Sequence, residues 1–404
     1  MHRLFAQVEA IWLDAVRAVA VQHKFASFDT PARLGASVAR LSAVYNDPER
    51  LDLRSSEVAL LEARLGFSLV RDLPKMTTAV REVVAARLLR VSDKPLSVLD
   101  LGAGLGASTF GLVRALSLVG EKGGVEALLV DDNRRALALA SDVAREIGKS
   151  IDIQLRVRTL EQHAPSYAGR DRFDVILLGQ VVSELDNDVE PQKRIEKHAA
   201  WIASLMQTSL SEDGCLVVVE PALRDRTRHL HAIRDVLAQR DAISIFAPCL
   251  QRQSCPMLEN PHDWCHEDLS VNLPEPLIPV ARAAGLRFEG LTYAYLVLRR
   301  DGVTLRSRSH AAGAALARIV SAPLVTKGKH EWFLCGDVVS NGVRVTKKVK
   351  AMRLDRERAA HNAAWDDAQR GDILALAPAL DCDKPRLSKE GSVTIVQPSF
   401  DTES

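Results

Sequence analysis

From residue 96 onward the sequence alternates short, continuously apolar runs with segments of helix length, and this alternation constrains the fold more than any other feature of the chain. "LSVLDLG", "GVEALLVDD", "IDIQLRVRT", "FDVILLGQV" and "GCLVVVEPA" read as strands, separated by stretches such as "ASTFGLVRALSLVG" and "NRRALALASDVAREIG" that read as helices. Strands that are apolar throughout must be covered on both faces, which predicts a mainly parallel sheet with helices on each side. The unit closes differently. "GLRFEGLTYAYLVLRR" holds two strand-like runs with almost no room for a crossover helix, so an antiparallel closing hairpin is predicted. An antiparallel last strand on a parallel α/β sheet is the class I methyltransferase arrangement, and most doubly wound nucleotide-binding folds lack it.

The turn after the first strand, "LDLGAGLGAST", places Asp100, Gly102, Gly104 and Gly106 together. Glycines there permit a tight turn and let the backbone approach a nucleotide without an intervening Cβ. With Ala107 in the third slot the run also fits the looser dinucleotide pattern. The acid two residues before the first glycine favours the S-adenosylmethionine (SAM) form, and Asp131 at the end of the second strand is placed to accept from ribose hydroxyls. The run after the fourth strand, "LLGQVVSELD", has neither the Asn/Asp-Pro-Pro-aromatic loop of amino-group methyltransferases nor the Pro-Cys loop of cytosine-C5 enzymes. Gln180, Ser183 and Glu184 read better as helix caps than as an acceptor site, and no catalytic residue is assigned.

Half of the six cysteines fall in "APCLQRQSCPMLENPHDWCH", as Cys249, Cys255 and Cys265. The spacing is not that of the common zinc modules, but a proline-rich loop can still bring three thiolates to one point. Cys335 in "EWFLCGD" is the natural fourth ligand. Cys215 reads as a small core residue, and Cys382 lies near the C-terminus. Four thiolates suit a tetrahedral zinc or an iron–sulfur cluster, and His262 and His266 could substitute in a zinc site.

These segments divide the chain into a helical region (1–92), a doubly wound domain (93–300) with a cysteine insert (247–268), a basic β-rich module (301–373) and a Pro/Ser/Asp-rich tail (374–404) expected to be disordered. No stretch approaches ~18 consecutive apolar residues, which argues against a membrane span, and the N-terminal run reads as an amphipathic helix and not a targeting peptide. A cytoplasmic, monomeric protein is expected. Net charge is only +1, yet residues 299–358 hold 14 Lys and Arg against 5 Asp and Glu. Arg344, Lys347, Lys348, Lys350 and Arg353 concentrate that excess, which suits contact with a phosphate backbone.

The joint order of "LDLGAGLGAST", "APC…SCP…DWCH" and "TKGKHEWFLC" resembles the methyltransferase-like assembly factors of the bacterial and mitochondrial small ribosomal subunit, over most of the chain from about residue 55 to about 370. The resemblance implies a class I methyltransferase fold, SAM contacts at Asp100, Gly102, Gly104, Gly106 and Asp131, and a [4Fe–4S] cluster on Cys249, Cys255, Cys265 and Cys335. It also implies action on the small ribosomal subunit, touching ribosomal RNA. Three functions follow for test: an RNA methyltransferase or assembly factor, a catalytically inactive assembly factor using SAM pocket and metal site structurally, and a small-molecule methyltransferase with a zinc site.

Overall fold

The computed structural model describes residues 7–46, 57–89, 91, 94–309, 311 and 313–396. The chain divides into two compact units, one of residues up to Val84 with Leu88–Glu220 and Leu269–Thr292, the other of Ala85–Arg87, Pro221–Asp268 and residues from Tyr293 onward.

The first unit contains five parallel strands: β1 (Leu96–Leu101), β2 (Gly124–Asp131), β3 (Gln154–Glu161), β4 (Phe173–Gly179) and β5 (Leu210–Pro221), in the order β3-β2-β1-β4-β5. Val98, Leu99 and Leu101 of β1 and Val175, Ile176, Leu177 and Leu178 of β4 are all fully buried, as the continuous apolar runs require. Helices Ala107–Leu118, Arg134–Ile147 and Pro191–Thr208 connect the strands. The helices before residue 85 belong to this same unit. Thr77 Oγ1 donates to the Gly111 carbonyl at 2.9 Å, and a Cβ on Gly111 would lie 2.8 Å from both the Leu73 carbonyl and the Met76 Cβ. Only glycine lets helix Val70–Ala79 pack this close to helix Ala107–Leu118. Helix Ala10–Gln22 meets Arg134–Ile147, where His23 Nε2 lies 2.7 Å from Asp142 Oδ2.

In the second unit β6 (Ser244–Ala247) pairs antiparallel with β8 (Leu291–Arg299), and β7 (Glu267–Leu269) also pairs with β8. The predicted closing hairpin is therefore replaced by a different pairing. The run before Leu291 is not a strand, and β8 finds its antiparallel partner in β6, which precedes the cysteine insert. The reason lies at Gly285: its φ of +66° follows helix Ile278–Ala283 and ends it. The sheet is nonetheless of class I methyltransferase type, with parallel strands and an antiparallel last strand.

The same unit holds a second, antiparallel sheet of β9 (Ala315–Ile319), β10 (Leu324–Thr326), β11 (Lys329–Ser340), β12 (Val343–Leu354), β13 (Ile373–Ala377) and β14 (Ser392–Val396). β11 and β12 pair along their full length around an Asn341-Gly342 turn with φ +50° and +77°, the tight hairpin geometry that Asn-Gly favours. Trp332, Trp365, Leu334, Leu374 and Leu376 fill its core. β13 and β14 correct the expectation of a disordered tail from 374: Leu374, Leu376 and Val393 are buried, so the module runs on to Val396. Residues 397–404 lie outside the described residues. Among the described residues no helix is long and apolar enough to cross a membrane.

Gly111→Val should destabilise the first unit by about 1–3 kcal/mol, the usual cost of overpacking a close contact, read as a lower urea midpoint with unchanged slope.

Candidate functional site

The glycine loop leaves β1 with Gly102, Gly104 and Gly106 all at positive φ (+69°, +52° and +81°). The first and second serve different ends. A Cβ on Gly102 would meet Val181 Cγ2 at 2.4 Å, so this glycine lets the loop pass under the turn that follows β4. A Cβ on Gly104 would meet nothing within 4 Å, which leaves its backbone open to a ligand.

Two carboxylates hold this loop. Asp131 Oδ2 accepts from the Gly104 amide at 2.8 Å while Oδ1 accepts from the Asn133 amide at 2.8 Å. Each oxygen keeps a second lone pair for a hydroxyl. Asp100 is fully buried. Its Oδ2 accepts from Thr109 Oγ1 at 2.8 Å and from the Thr109 amide at 3.1 Å, and its Oδ1 has no partner. Burial pushes the Asp100 carboxyl up to about 7, against the Thr109 hydrogen bonds. A buried, half-satisfied carboxylate is suited to a cationic group.

The turn after β4 differs from the helix cap read from sequence. Val182–Glu184 forms one short 3₁₀ turn with no side-chain cap. Its Val182 and Ser183 amides instead donate to Glu220 at 2.9 and 3.3 Å, and the buried Ser183 Oγ lacks a partner. Gln180, at φ +60°, is fixed at both ends of its amide: Oε1 accepts from Lys75 Nζ at 3.2 Å and Nε2 donates to Asp72 Oδ2 at 3.3 Å. Lys75 lies 3.1 Å from Asp72 Oδ1 and Arg71 Nε 2.8 Å from it. Burial would raise the Asp72 carboxyl, but Arg71 and Lys75 overrule it and hold it well below the usual carboxylate range. Burial also pushes the Lys75 ammonium down, against the pull of Asp72. Asp72 and Lys75 reach this site from a helix broken upstream by a π-helical run, Arg64–Leu69, an irregularity often found near functional sites.

The four cysteines do converge. Cys255 is buried, Cys249, Cys265 and Cys335 are half-buried, all are free thiols, and all four line one cavity of about 40 Å³ in the second unit together with His231, Arg234 and His266. That volume is several times what one buried water needs. Burial first, and then the neighbouring thiols, push the Cys335 thiol up to about 12 and the Cys255 and Cys265 thiols well above their ordinary value. Thiols that oppose one another's ionisation become thiolates only beside concentrated positive charge.

The loop is held in this shape through its carbonyls. Arg228 donates to those of Met257, Asn260 and Asp263 at 2.8–2.9 Å, Arg306 to Leu250 at 2.9 Å, Arg318 to Pro248 at 2.6 Å and Arg370 to His266 at 2.8 Å. The Cys255 amide donates to Asp235 at 2.9 Å. Cys335 comes from β11, opposite Lys348 on β12. His262 is exposed and only His266 of the two histidines lines the cavity. Cys215 is buried in β5. Among the described residues, the group of three metal-type donors within 4.8 Å of one another is Asp381, Cys382 and Asp383, with Asp381 and Asp383 exposed.

The basic strand is less concentrated than its sequence. Strand alternation puts Lys347 on the face opposite Arg344, Lys348 and Lys350. Lys348 pairs with Asp263 and lies 5.2 Å from the Phe333 ring centre, Lys350 pairs with Glu331 at 3.3 Å, and Arg344 donates to the Gly313 carbonyl at 3.1 Å. Arg353 is fully buried against Asp366. Lys347 is exposed.

Solved structures similar to the chain include the plantazolicin methyltransferase BpumL in complex with SAH (13% identity, TM-score 0.33, covering 67% of this chain and 98% of that one). Others are the precorrin-6y C5,15-methyltransferase from Geobacter metallireducens GS-15 (14%, 0.31, 54% and 86%) and the 16S rRNA methylase RmtB (18%, 0.28, 54% and 68%). No curated protein matches. The family model described as mitochondrial small ribosomal subunit Rsm22 matches residues 67–370, well over half of the chain. The chain belongs to the mitochondrial small ribosomal subunit Rsm22 family.

Proposed function

We propose that this protein binds SAM in its first unit, holds a [4Fe–4S] cluster on Cys249, Cys255, Cys265 and Cys335 in its second, and acts on the RNA of the small ribosomal subunit. The observation that carries the SAM reading is the open Gly104 position, held by Asp131, on the same glycine loop whose strand ends in the unpartnered, buried Oδ1 of Asp100. Gly102 and Gly106 shape the loop, Asp131 braces it and keeps lone pairs for ribose hydroxyls, and Asp100 takes the cationic end. When bound, SAM supplies an electrophilic methyl group whose in-line transfer depends mainly on positioning. Lys75 and Asp72 fix the amide of Gln180 beside the loop and so define one polar wall.

Support for a four-thiolate centre comes from the four cysteines lining one cavity, and the positive charge of its metal is what the opposed thiols need. Family membership supports the ribosomal partner, and Arg344 and Lys347, on opposite faces of β12 near its turn, are exposed cations available to phosphate, whereas Lys350 pairs with Glu331.

Three measurements test these readings. Asp100 is neutral below about pH 7 and ionised above it, so SAM affinity by calorimetry should rise as pH increases from 6 to 7.5. Asp100→Asn should flatten that dependence, and Gly104→Asp should abolish the binding heat. A wild-type protein with no binding heat at any pH would end the SAM reading. Anaerobically purified protein should carry iron and acid-labile sulfide with broad absorbance at about 400 nm; colourless protein with one zinc per chain would establish the other metal. Arg344→Glu with Lys347→Glu should weaken binding to small-subunit RNA and reduce its salt dependence by about two phosphate contacts. Mapping of methylated nucleotides in a deletion strain then separates methyl transfer from assembly alone.

A further inference from the structure

Arg234 occupies an unusual position. It sits on helix Arg224–Ala238 with only 2% of its surface exposed, and it lines the same cavity as the four cysteines. Its Nη1 donates to Asp235 Oδ1 at 2.6 Å and to the Gln253 carbonyl, and its Nη2 donates to the Gln251 carbonyl at 2.5 Å. Its Nε–H has no partner in the protein. A guanidinium stays charged under all ordinary conditions and its donors form a rigid fork. Two of its nitrogens are therefore locked to the loop and Asp235, and the third is left as a buried cationic donor beside four thiols.

The geometry points to Arg234 as a positioning residue for an anionic, sulfur-rich occupant: it donates its Nε–H to a sulfur of the four-thiolate cluster and offsets part of the cluster's negative charge, which holds the reduction potential up. This rests on the cluster reading above. A [4Fe–4S]²⁺ core with four thiolates carries a net charge of −2, and one electron from dithionite takes it to −3. A fixed positive donor favours the more negative state, and hydrogen bonds to sulfur act in the same direction. Neither effect needs Arg234 to gain or lose a proton.

The other loop-holding arginine on the same helix, Arg228, provides the control. It donates to four loop carbonyls but does not line the cavity. A residue that merely holds the loop should behave like Arg228, whereas one that acts on the cluster should not.

The test is a potentiometric dithionite titration, followed by electron paramagnetic resonance, of the full-length cluster-loaded protein and of Arg234→Lys, Arg234→Met and Arg228→Met. Iron and sulfide content, circular dichroism and melting temperature are taken on each. Arg234→Met, which removes both charge and donor, should lower the reduction equilibrium constant about tenfold or more, ~59 mV for one electron. Arg234→Lys should fall between it and wild type, and Arg228→Met should titrate at the wild-type potential. Should Arg234→Met fail to hold the cluster, the potential of Arg234→Lys decides. Equal potentials in wild type and Arg234→Lys would then overturn the inference, as would a shift in Arg228→Met matching that in the Arg234 variants. A wild-type protein without iron and sulfide would instead overturn the cluster reading itself, a distinct result.

Discussion

Four thiols gathered round one cavity are electrostatically unstable as ligands until positive charge joins them, and the organisation of the second unit follows from that constraint. Burial first, and then the neighbouring Cys249, push the Cys335 thiol up to about 12. A loop of nineteen residues between β6 and β7, with little regular structure, would ordinarily relax to separate them. It is prevented from doing so by arginines that donate to carbonyl oxygens: Arg228, Arg234, Arg306, Arg318 and Arg370 all grip the backbone and none needs a sulfur to do it. The loop's shape is thus set independently of whatever the sulfurs hold, which is the preorganisation that a demanding ligand set needs. The fourth sulfur depends on the second sheet, because Cys335 is fixed by the full-length pairing of β11 with β12 and by the tryptophan core beneath them.

The first unit solves the opposite electrostatic problem. Its site is built from acids, and both act first on the backbone. Asp131 stitches the Gly104 amide to the start of the following helix, and Asp100 ties β1 to Thr109. Each carboxylate keeps unused acceptor capacity: lone pairs on Asp131 for neutral hydroxyls, and on Asp100 one buried, unpartnered oxygen suited to a cation. Because Asp100 is wholly buried, its charge is conditional, and a cationic ligand is what would favour the ionised form.

Local chemistry made some of this legible in the sequence and hid the rest. The strands could be read because apolar runs report burial on both faces, and the glycine loop because positive φ at three close positions demands glycine. The cysteines could be read as a set because thiols are scarce and a proline-rich loop is poor core. The closing pair was misread because "GLRFEG" looks strand-like locally, while the choice of β6 as partner for β8 is a tertiary one. β13 and β14 were masked by flanking Pro, Ser and Asp, although Ile373–Leu376 is a continuous apolar run that is buried throughout. Asp72, Lys75 and Arg234 had no local signature. Each stands on a helix like many charged residues, and its role arises from partners 17 or more positions away.

The basic stretch shows why charge counting and structure diverge. Of the 14 cations between residues 299 and 358, Arg299, Arg318 and Arg353 are at most 3% exposed. They are turned inward, to Asp301, to the Pro248 and Gly371 carbonyls, and to Asp366. In a unit rich in loops, many carbonyls lack a strand or helix partner, and an arginine with five donors can satisfy several of them at once. The local excess of positive charge is therefore in part an internal scaffold. A phosphate backbone would meet a narrower set of cations, Arg344 and Lys347 foremost, with Lys348 already committed to Asp263 beside the cysteine loop. That commitment is useful in itself: it anchors the strand carrying the residue opposite Cys335 to the segment carrying Cys265, so one strand both presents cations and steadies the fourth thiol.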